Sequence, residues 1–176
     1  MAARQNIRVP YGYESPEESR KGTLIFYDSF EDVTDAELER AFTAFERRAF
    51  AKLVLYPLHE ETVRRMWKEP VSAFHKRQKS LEEWKLDSGH STVSIQNWDG
   101  KRKKYTPIDT ALRYLTEVYP SPYFLYMTPE MANLFASFST FEEWIVQLRL
   151  LLSTGPETVH PRLEKFRSRW DVFAEE

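Results

Sequence analysis

Three short apolar runs of this sequence each end in polar side chains that could bind a ligand or transfer a proton. Asp28 and Ser29 follow the first run, His59 follows the second, and Thr128 and Glu130 follow the last. An imidazole exchanges a proton near neutral pH, and a carboxylate can act as a base or as a metal ligand. We therefore treat all five as candidate ligand-binding residues, with His59 and Asp28 as the candidates for catalysis.

The runs themselves predict how these side chains are positioned. Residues 23–27, 52–57 and 122–127 are apolar on both faces, which is typical of parallel strands covered by helices. In such sheets ligands bind beyond the carboxyl ends of the strands, where the strand order reverses. Helix N-termini at that edge offer free amides to an anion. The sequence thus predicts that a phosphorylated or anionic, nucleotide-like small molecule binds at the strand C-termini.

The same residues also have a structural explanation. Asp, Thr and Glu at the start of a helix are capping residues, and Glu60 and Glu61 after His59 complement the helix dipole. His59 keeps a functional interpretation because of its position after a strand. The sequence leaves open whether the chain is an enzyme, since a fold does not imply a function.

Several chemistries are excluded by composition. The chain has no cysteine, so it has no disulfide, thiolate nucleophile or cysteine zinc site. Its five glycines are too far apart for the phosphate-binding loops GxGxxG and GxxxxGK or for GxSxG. The four histidines are scattered, and HEETV places Val63 where a zinc-binding HExxH needs its second histidine. No metal site is predicted, and no cofactor can be named.

A second function is suggested by a basic cluster. Residues 92–98 alternate in polarity, Asp99-Gly100 is a typical two-residue turn, and residues 101–106 follow as a return strand. The basic side chains on this predicted hairpin are Lys101, Arg102, Lys103 and Lys104. With Trp98 and Tyr105 beside them they could contact phosphates and bases, or they could protect an exposed sheet edge from aggregation. The alternative function is therefore a non-enzymatic interaction module that contacts a protein or RNA partner through a basic hairpin.

The order of elements predicts an α/β fold. We expect a layered sheet of about 4–5 strands, mostly parallel, with one antiparallel hairpin at about 92–105 and helices on both faces. Residues 75–79, HKRQK, read as the solvated face of a helix, residues 140–152 as a helix, and residues from about 161 as a terminal helix. Residues 1–22 are predicted to be a flexible N-terminal arm, and residues 23–176 a single α/β domain with C-terminal helices.

Charge and hydropathy predict where the protein resides and which kinds of partner it contacts. The net charge is −2, so binding to nucleic acid is disfavoured unless a local patch provides it. The N-terminus lacks the apolar run of a signal peptide, and no stretch approaches 18 apolar residues. We expect a soluble, cytoplasmic protein without membrane contact; its oligomeric state is not predicted.

Three segments resemble a known enzyme family. KLVLYP, PYFLYMTPE and SFSTFEEW resemble nucleotidyltransferases of the phosphopantetheine and nicotinate adenylyltransferase type, which implies a related α/β fold. Those enzymes carry a phosphate-binding His-x-Gly-His motif after a strand. Here LHEETV follows Pro57 without a Gly-His pair, and Gly89-His90 precedes a predicted strand instead. The resemblance therefore extends to the fold and does not supply the chemistry.

Overall fold

The computed structural model describes residues 20–174, in which six parallel strands form one sheet. The strands are β1 (Thr23–Asp28), β2 (Lys52–Pro57), β3 (Ser94–Ile95), β4 (Tyr123–Met127), β5 (Arg149–Leu152) and β6 (Trp170–Val172). The helices are α1 (Asp35–Arg47), α2 (Glu60–Trp67), α3 (Phe74–Ser88), α4 (Trp98–Arg102), α5 (Ile108–Val118), α6 (Pro129–Ala136), α7 (Phe141–Ile145) and α8 (Pro161–Lys165). A 3-10 turn, Arg167–Arg169, leads into β6.

The sheet is doubly wound. The strand order is β3-β2-β1-β4-β5-β6, so the chain builds outward from β1 in one direction and then returns to continue from β4 in the other. β1 pairs in parallel with both β2 and β4. The carboxyl ends of β1 and β4 therefore flank the point at which the winding reverses, where helices leave on opposite sides and a crevice opens.

Helices cover both faces of the sheet, as predicted. Alternate residues of β1 point to opposite sides: Ile25 and Tyr27 pack in one buried cluster, and Leu24 and Phe26 in the other. The first cluster includes residues of α2, α5, α6 and α7, and the second includes residues of α1 and α3. Full burial of a side chain such as Leu24 contributes about 1.5–3 kcal/mol to folding. The α/β class is thus confirmed, with six strands instead of about 4–5.

The predicted antiparallel hairpin is wrong. β3 contains two residues and pairs in parallel with β2 at Val54 and Leu55. The residues expected to return as a strand form the short helix α4 and the turn after it. The basic residues 101–104 therefore lie on and after this helix, beside the β3 edge of the sheet.

Burial and close packing explain why Asp99-Gly100 is not a hairpin turn. Asp99 is completely buried, and its carboxylate accepts hydrogen bonds from the backbone N–H of His59 at 2.6 Å and the hydroxyl of Tyr56 at 3.1 Å. Gly100 packs against Phe74 so closely that a Cβ atom would lie 2.3 Å from its ring. Asp99 and Gly100 therefore contact residues that are distant in the sequence, and a local turn pattern does not reveal such contacts.

Two predicted helices end earlier than expected because their C-terminal parts join the sheet. Residues 140–152 split into α7 and the strand β5, whose residues Leu150, Leu151 and Leu152 are buried between β4 and β6. Likewise α8 covers only Pro161–Lys165, and Trp170–Val172 form β6. A strand buried on both faces has a continuous apolar run, which periodicity alone does not distinguish from a buried helix.

Helix starts were predicted more accurately. Thr34 and Glu37 form the expected capping box at α1, and Thr128 caps α6 with Pro129 at its first position. The helical region after β2 restarts near Pro70, as expected, with α2 ending before it and α3 beginning at Phe74. Most of the predicted arm, residues 1–19, lies outside the described residues. Across 20–174, no helix has both the length and the apolar character needed to cross a membrane.

Candidate functional site

A cavity of about 530 Å³ opens at the switch point, between the carboxyl ends of β1 and β4. Its walls come from three places: the loop from β1 to α1, the end of α2 with the segment after it, and the start of α6. The acidic lining residues are Asp28, Glu31, Asp32, Glu37, Glu69 and Glu130, and the apolar ones include Val33, Val63, Trp67, Val71, Met131 and Leu134. The volume lies in the range of typical small-molecule sites.

Four of the five candidate ligand-binding residues line this one cavity. They are Asp28 and Ser29 after β1, and Thr128 and Glu130 after β4. Parallel strands bring these two pairs together although about a hundred positions separate them along the chain. The structure therefore places the candidates from the first and last apolar runs side by side.

His59 is not part of the cavity lining. Its ring nitrogen Nδ1 accepts the backbone N–H of Glu61 at 3.1 Å, which caps the start of α2. Its own backbone N–H binds Asp99, and its Nε2 lies 3.7 Å from a carboxylate oxygen of Glu60. The geometry of His59 thus fits the capping explanation, and Glu60 and Glu61 occupy the first turn as expected.

Asp28 is the most perturbed acid of the cavity. Burial raises its pKa from 3.8 to about 6, although hydrogen bonds from the backbone N–H of Phe30 (2.8 Å) and the hydroxyl of Ser29 (3.4 Å) oppose the rise. Phe30 itself adopts a left-handed conformation (φ 64°), which is uncommon for a bulky side chain. A carboxylate with this pKa gains from a nearby positive charge and can also accept a proton near neutral pH.

The other candidates combine local hydrogen bonds with their position in the lining. The hydroxyl of Thr128 accepts the backbone N–H of Met131 at 3.1 Å, so Thr128 caps α6. The hydroxyl of Ser29 accepts the backbone N–H of Glu31 at 3.2 Å. Glu130 is exposed in the first turn of α6. Capping and cavity lining are therefore compatible at these positions.

The electrostatic character of the cavity is negative. Its lining includes six carboxylates and no lysine, arginine or histidine. Two of the carboxylates already have partners: Glu37 is part of the capping box, and Glu31 binds Ser72. Among the residues that the structure describes, no three His, Cys, Asp or Glu side chains converge as metal ligands. The cavity thus combines an apolar wall with carboxylates that are distributed along its lining.

Sequence reasoning missed one residue beside the cavity. Arg77 belongs to the HKRQK stretch that was predicted to be solvated, yet it is only 4% exposed. Its guanidinium donates hydrogen bonds to carbonyls at the carboxyl edge of the sheet. The sequence does contain a signal for the burial of Arg77. This residue precedes the buried Leu81 and Trp84 by one and two helical turns and lies on the same face of α3.

The basic cluster has mixed surroundings. Lys101, Lys103 and Lys104 are exposed, whereas the Arg102 guanidinium lies over the ring of Trp98 at 5.0 Å and donates to the hydroxyl of Thr106 at 2.8 Å. The lysines share a surface without forming a strand, so their predicted role as a basic hairpin does not apply. Contact of this surface with a protein or RNA stays a prediction.

No protein-family model matches the chain, and no curated protein matches it closely enough to count as related. The function must therefore be inferred from the cavity and its lining.

Proposed function

We propose that this protein binds a small molecule that carries a positively charged nitrogen beside an apolar or aromatic body, in the cavity between β1 and β4. One observation carries the proposal: six carboxylates and no basic side chain surround a cavity of about 530 Å³ at the switch point of a doubly wound sheet. This is the position at which such sheets bind ligands, and the charge of the lining selects among them.

The apolar wall supports the aromatic part of the proposed ligand. Val63 and Trp67 of α2 line the cavity from one side, and Met131 and Leu134 of α6 line it from another. Trp67 is half-buried, so part of its indole is accessible for contact with a ring. Apolar walls provide most of the contact area in small-molecule sites, and a few polar groups fix orientation.

The carboxylates support the cationic part. Asp28 lies deepest among the acids, because the other five lining carboxylates belong to exposed residues. A cation next to Asp28 would lower its pKa back toward the ordinary range and form a charge-assisted hydrogen bond. Asp32, Glu69 and Glu130 add attraction at the mouth of the cavity, which accelerates the approach of a cation.

A phosphorylated ligand, which the strand-end position alone predicts, would meet the same negative charges. The helix starts nearby are already capped by Thr34 and Thr128, so fewer of their amides are available to a phosphate. A nucleotide would therefore need its phosphates neutralised by bound cations before it entered. The relative affinities of matched cationic and anionic ligands therefore test the proposal.

The experiment compares ligands that share a ring and differ in charge. Tryptamine is paired with indole-3-propionate, phenethylamine with 3-phenylpropanoate, and adenosine with AMP in the presence and absence of Mg²⁺. Thermal shift and calorimetry near neutral pH should show that the amines stabilise the protein and that the matched acids do not. Asp28→Asn should weaken tryptamine binding about tenfold or more, because a charge-assisted hydrogen bond is lost.

The control variant is Asp171→Asn, since Asp171 is an exposed acid on β6 that does not line the cavity. Its affinity for tryptamine should equal that of the wild type. If AMP or the aromatic acids bind as tightly as the amines, or if none of the amines binds, the proposal is wrong.

A further inference from the structure

A buried guanidinium joins the walls of the cavity. The Nη1 atom of Arg77 donates to the backbone carbonyls of Ser29, at 2.7 Å, and of Leu58, and its Nε donates to the carbonyl of Ser72 at 2.9 Å. Its Nη2 lies 3.3 Å from a carboxylate oxygen of Glu60. One side chain on α3 therefore holds three separate segments of backbone.

Two of these segments form walls of the cavity. Ser29 belongs to the loop that follows β1, which lines the cavity from Asp28 to Val33. Ser72 belongs to the segment 68–73 between α2 and α3, whose residues Glu69, Pro70 and Val71 line another side of the cavity. We name residues 68–73 the strap. Arg77 thus contacts both of these walls through their backbone carbonyls.

A second contact joins the same two walls directly. The backbone N–H and the hydroxyl of Ser72 both donate to Oε1 of Glu31, each at 2.9 Å. The Nε of Arg77 lies 4.0 Å from the same oxygen. Glu31 itself lines the cavity. The loop after β1 and the strap therefore meet through Glu31, Ser72 and Arg77.

The strap depends on these contacts for its position. It has no helix or strand of its own, it begins with Lys68 in a left-handed conformation (φ 58°), and Pro70 cannot donate a backbone hydrogen bond. Lys68, Glu69 and Pro70 are exposed, while Val71, Ser72 and Ala73 are half-buried and Val71 packs against the core. A segment without regular secondary structure and with only partial burial opens readily unless side chains from outside fix it.

We propose that Arg77 is a positioning residue for the cavity, which fixes the strap against the loop after β1 and so determines the size of ligand that the cavity accepts. The ligand part of this inference rests on the proposed function, whereas the positioning part concerns the free protein alone. Arg77 does not line the cavity and acts through Ser29, Ser72 and Glu31.

The first test measures amide hydrogen exchange in the free protein. Arg77→Lys keeps the positive charge, but a single ammonium lacks the fork that reaches three carbonyls. The amides of Ser72 and Phe74, which donate to Glu31 and Glu60, should exchange about tenfold faster, while those of the central strand residues Ile25 and Leu125 should change much less. Arg113→Lys, on the exposed face of α5, is the matched control.

A second, milder variant tests the same inference if Arg77→Lys does not fold. Glu31→Ala removes the acceptor of the Ser72 amide at an exposed position, and the exchange of Ser72 should again accelerate. If neither variant changes exchange in the strap relative to Ile25 and Leu125, the inference is overturned. The result holds whether or not an amine binds, so it separates this inference from the proposed function.

The second test measures ligand selectivity by calorimetry at a temperature where each variant is fully folded. Arg77→Lys should weaken tryptamine binding about tenfold and narrow the difference in affinity between tryptamine and the smaller phenethylamine. A merely structural role would lower the unfolding temperature and leave both affinities of the folded protein unchanged. That outcome would contradict the positioning role, while failure of the wild type to bind either amine would contradict the proposed function instead.

Discussion

Asp28 and Asp99 both lie at the carboxyl edge of the sheet, and burial raises the pKa of both. Asp99 is completely enclosed, and its carboxylate accepts hydrogen bonds from the backbone N–H of His59 and the hydroxyl of Tyr56. Asp28 lines an open cavity and receives hydrogen bonds from its own loop, from Ser29 and Phe30.

The difference separates a structural acid from one available to a ligand. The donors to Asp99 come from β2 and the turn after it, whereas Asp99 lies on α4, so its carboxylate joins elements that are distant in sequence. The donors to Asp28 lie one and two residues further along the chain. Removing the Asp99 carboxylate should therefore destabilise the fold, whereas neutralising Asp28 should stabilise the fold and weaken ligand binding.

The largest effect is expected for Asp99→Ala. The substitution leaves the N–H of His59 and the hydroxyl of Tyr56 buried without their acceptor, which should lower the free energy of unfolding by about 3 kcal/mol. Denaturant unfolding measures the loss, and Asp171→Ala, at an exposed acid, should stay within about 0.5 kcal/mol of the wild type. A loss smaller than about 1 kcal/mol would show that the Asp99 cluster does not join these elements as described.

A steric change at the neighbouring glycine is expected to come next. In Gly100→Ala the new methyl group would lie 2.3 Å from the ring of Phe74, so the ring or α4 must shift, at a cost of about 1–3 kcal/mol. Gly155→Ala is the matched control, because nothing lies within 4 Å of the added Cβ there. Equal unfolding free energies for the two variants would contradict the close packing of α4 against Phe74.

The effect of neutralising Asp28 should depend on pH. The pKa of Asp28 in the folded protein, about 6, exceeds its ordinary value of 3.8, so the ionised form destabilises the fold. The free energy of unfolding therefore falls as the pH rises from about 4 to 6, and it stays lower at higher pH. The pKa shift from 3.8 to about 6 corresponds to at most about 3 kcal/mol, and water in the open cavity screens part of it. Asp28→Asn should therefore be more stable than the wild type by about 1–2 kcal/mol near pH 7.5, with the gap closing near pH 4. A gap that does not change with pH would show that Asp28 is not the group responsible.

The smallest effect on stability is expected at the basic surface. Changing Lys101, Lys103 and Lys104 together to Gln should alter the free energy of unfolding by no more than about 0.5 kcal/mol, since all three are exposed. The same variant tests the alternative function. Binding of single-stranded RNA that falls steeply with salt, and that disappears in the variant, would favour an interaction module over the small-molecule site.

The sequence predicted best what is encoded locally. The capping residues Thr34 and Thr128 and the buried strands β1, β2 and β4 carry their signals within a few neighbouring positions. Because parallel strands end at one edge, the position of Asp28, Ser29, Thr128 and Glu130 around a common cavity also followed from the pattern.

What the sequence did not predict depends on contacts between distant segments. The strand β5 has the same apolar run as a buried helix, and only its pairing with β4 and β6 determines its form. Asp99-Gly100 reads locally as a turn, although its partners Tyr56 and Phe74 lie far away in the sequence. The negative charge of the cavity was missed for a similar reason, since it combines acids from three separate segments of the chain, residues 28–37, Glu69 and Glu130.

The location and the charge preference of the cavity can be measured together by nuclear magnetic resonance. Backbone amide shifts are followed while tryptamine, and separately indole-3-propionate, is titrated into the wild-type protein near neutral pH. We predict that tryptamine shifts the amides of residues 28–33, 67–72 and 130–134, that Asp28→Asn reduces the shifts, and that indole-3-propionate produces none at these positions. Equal shifts with the acid, or shifts that cluster away from these three segments, would contradict a cation-binding cavity between β1 and β4.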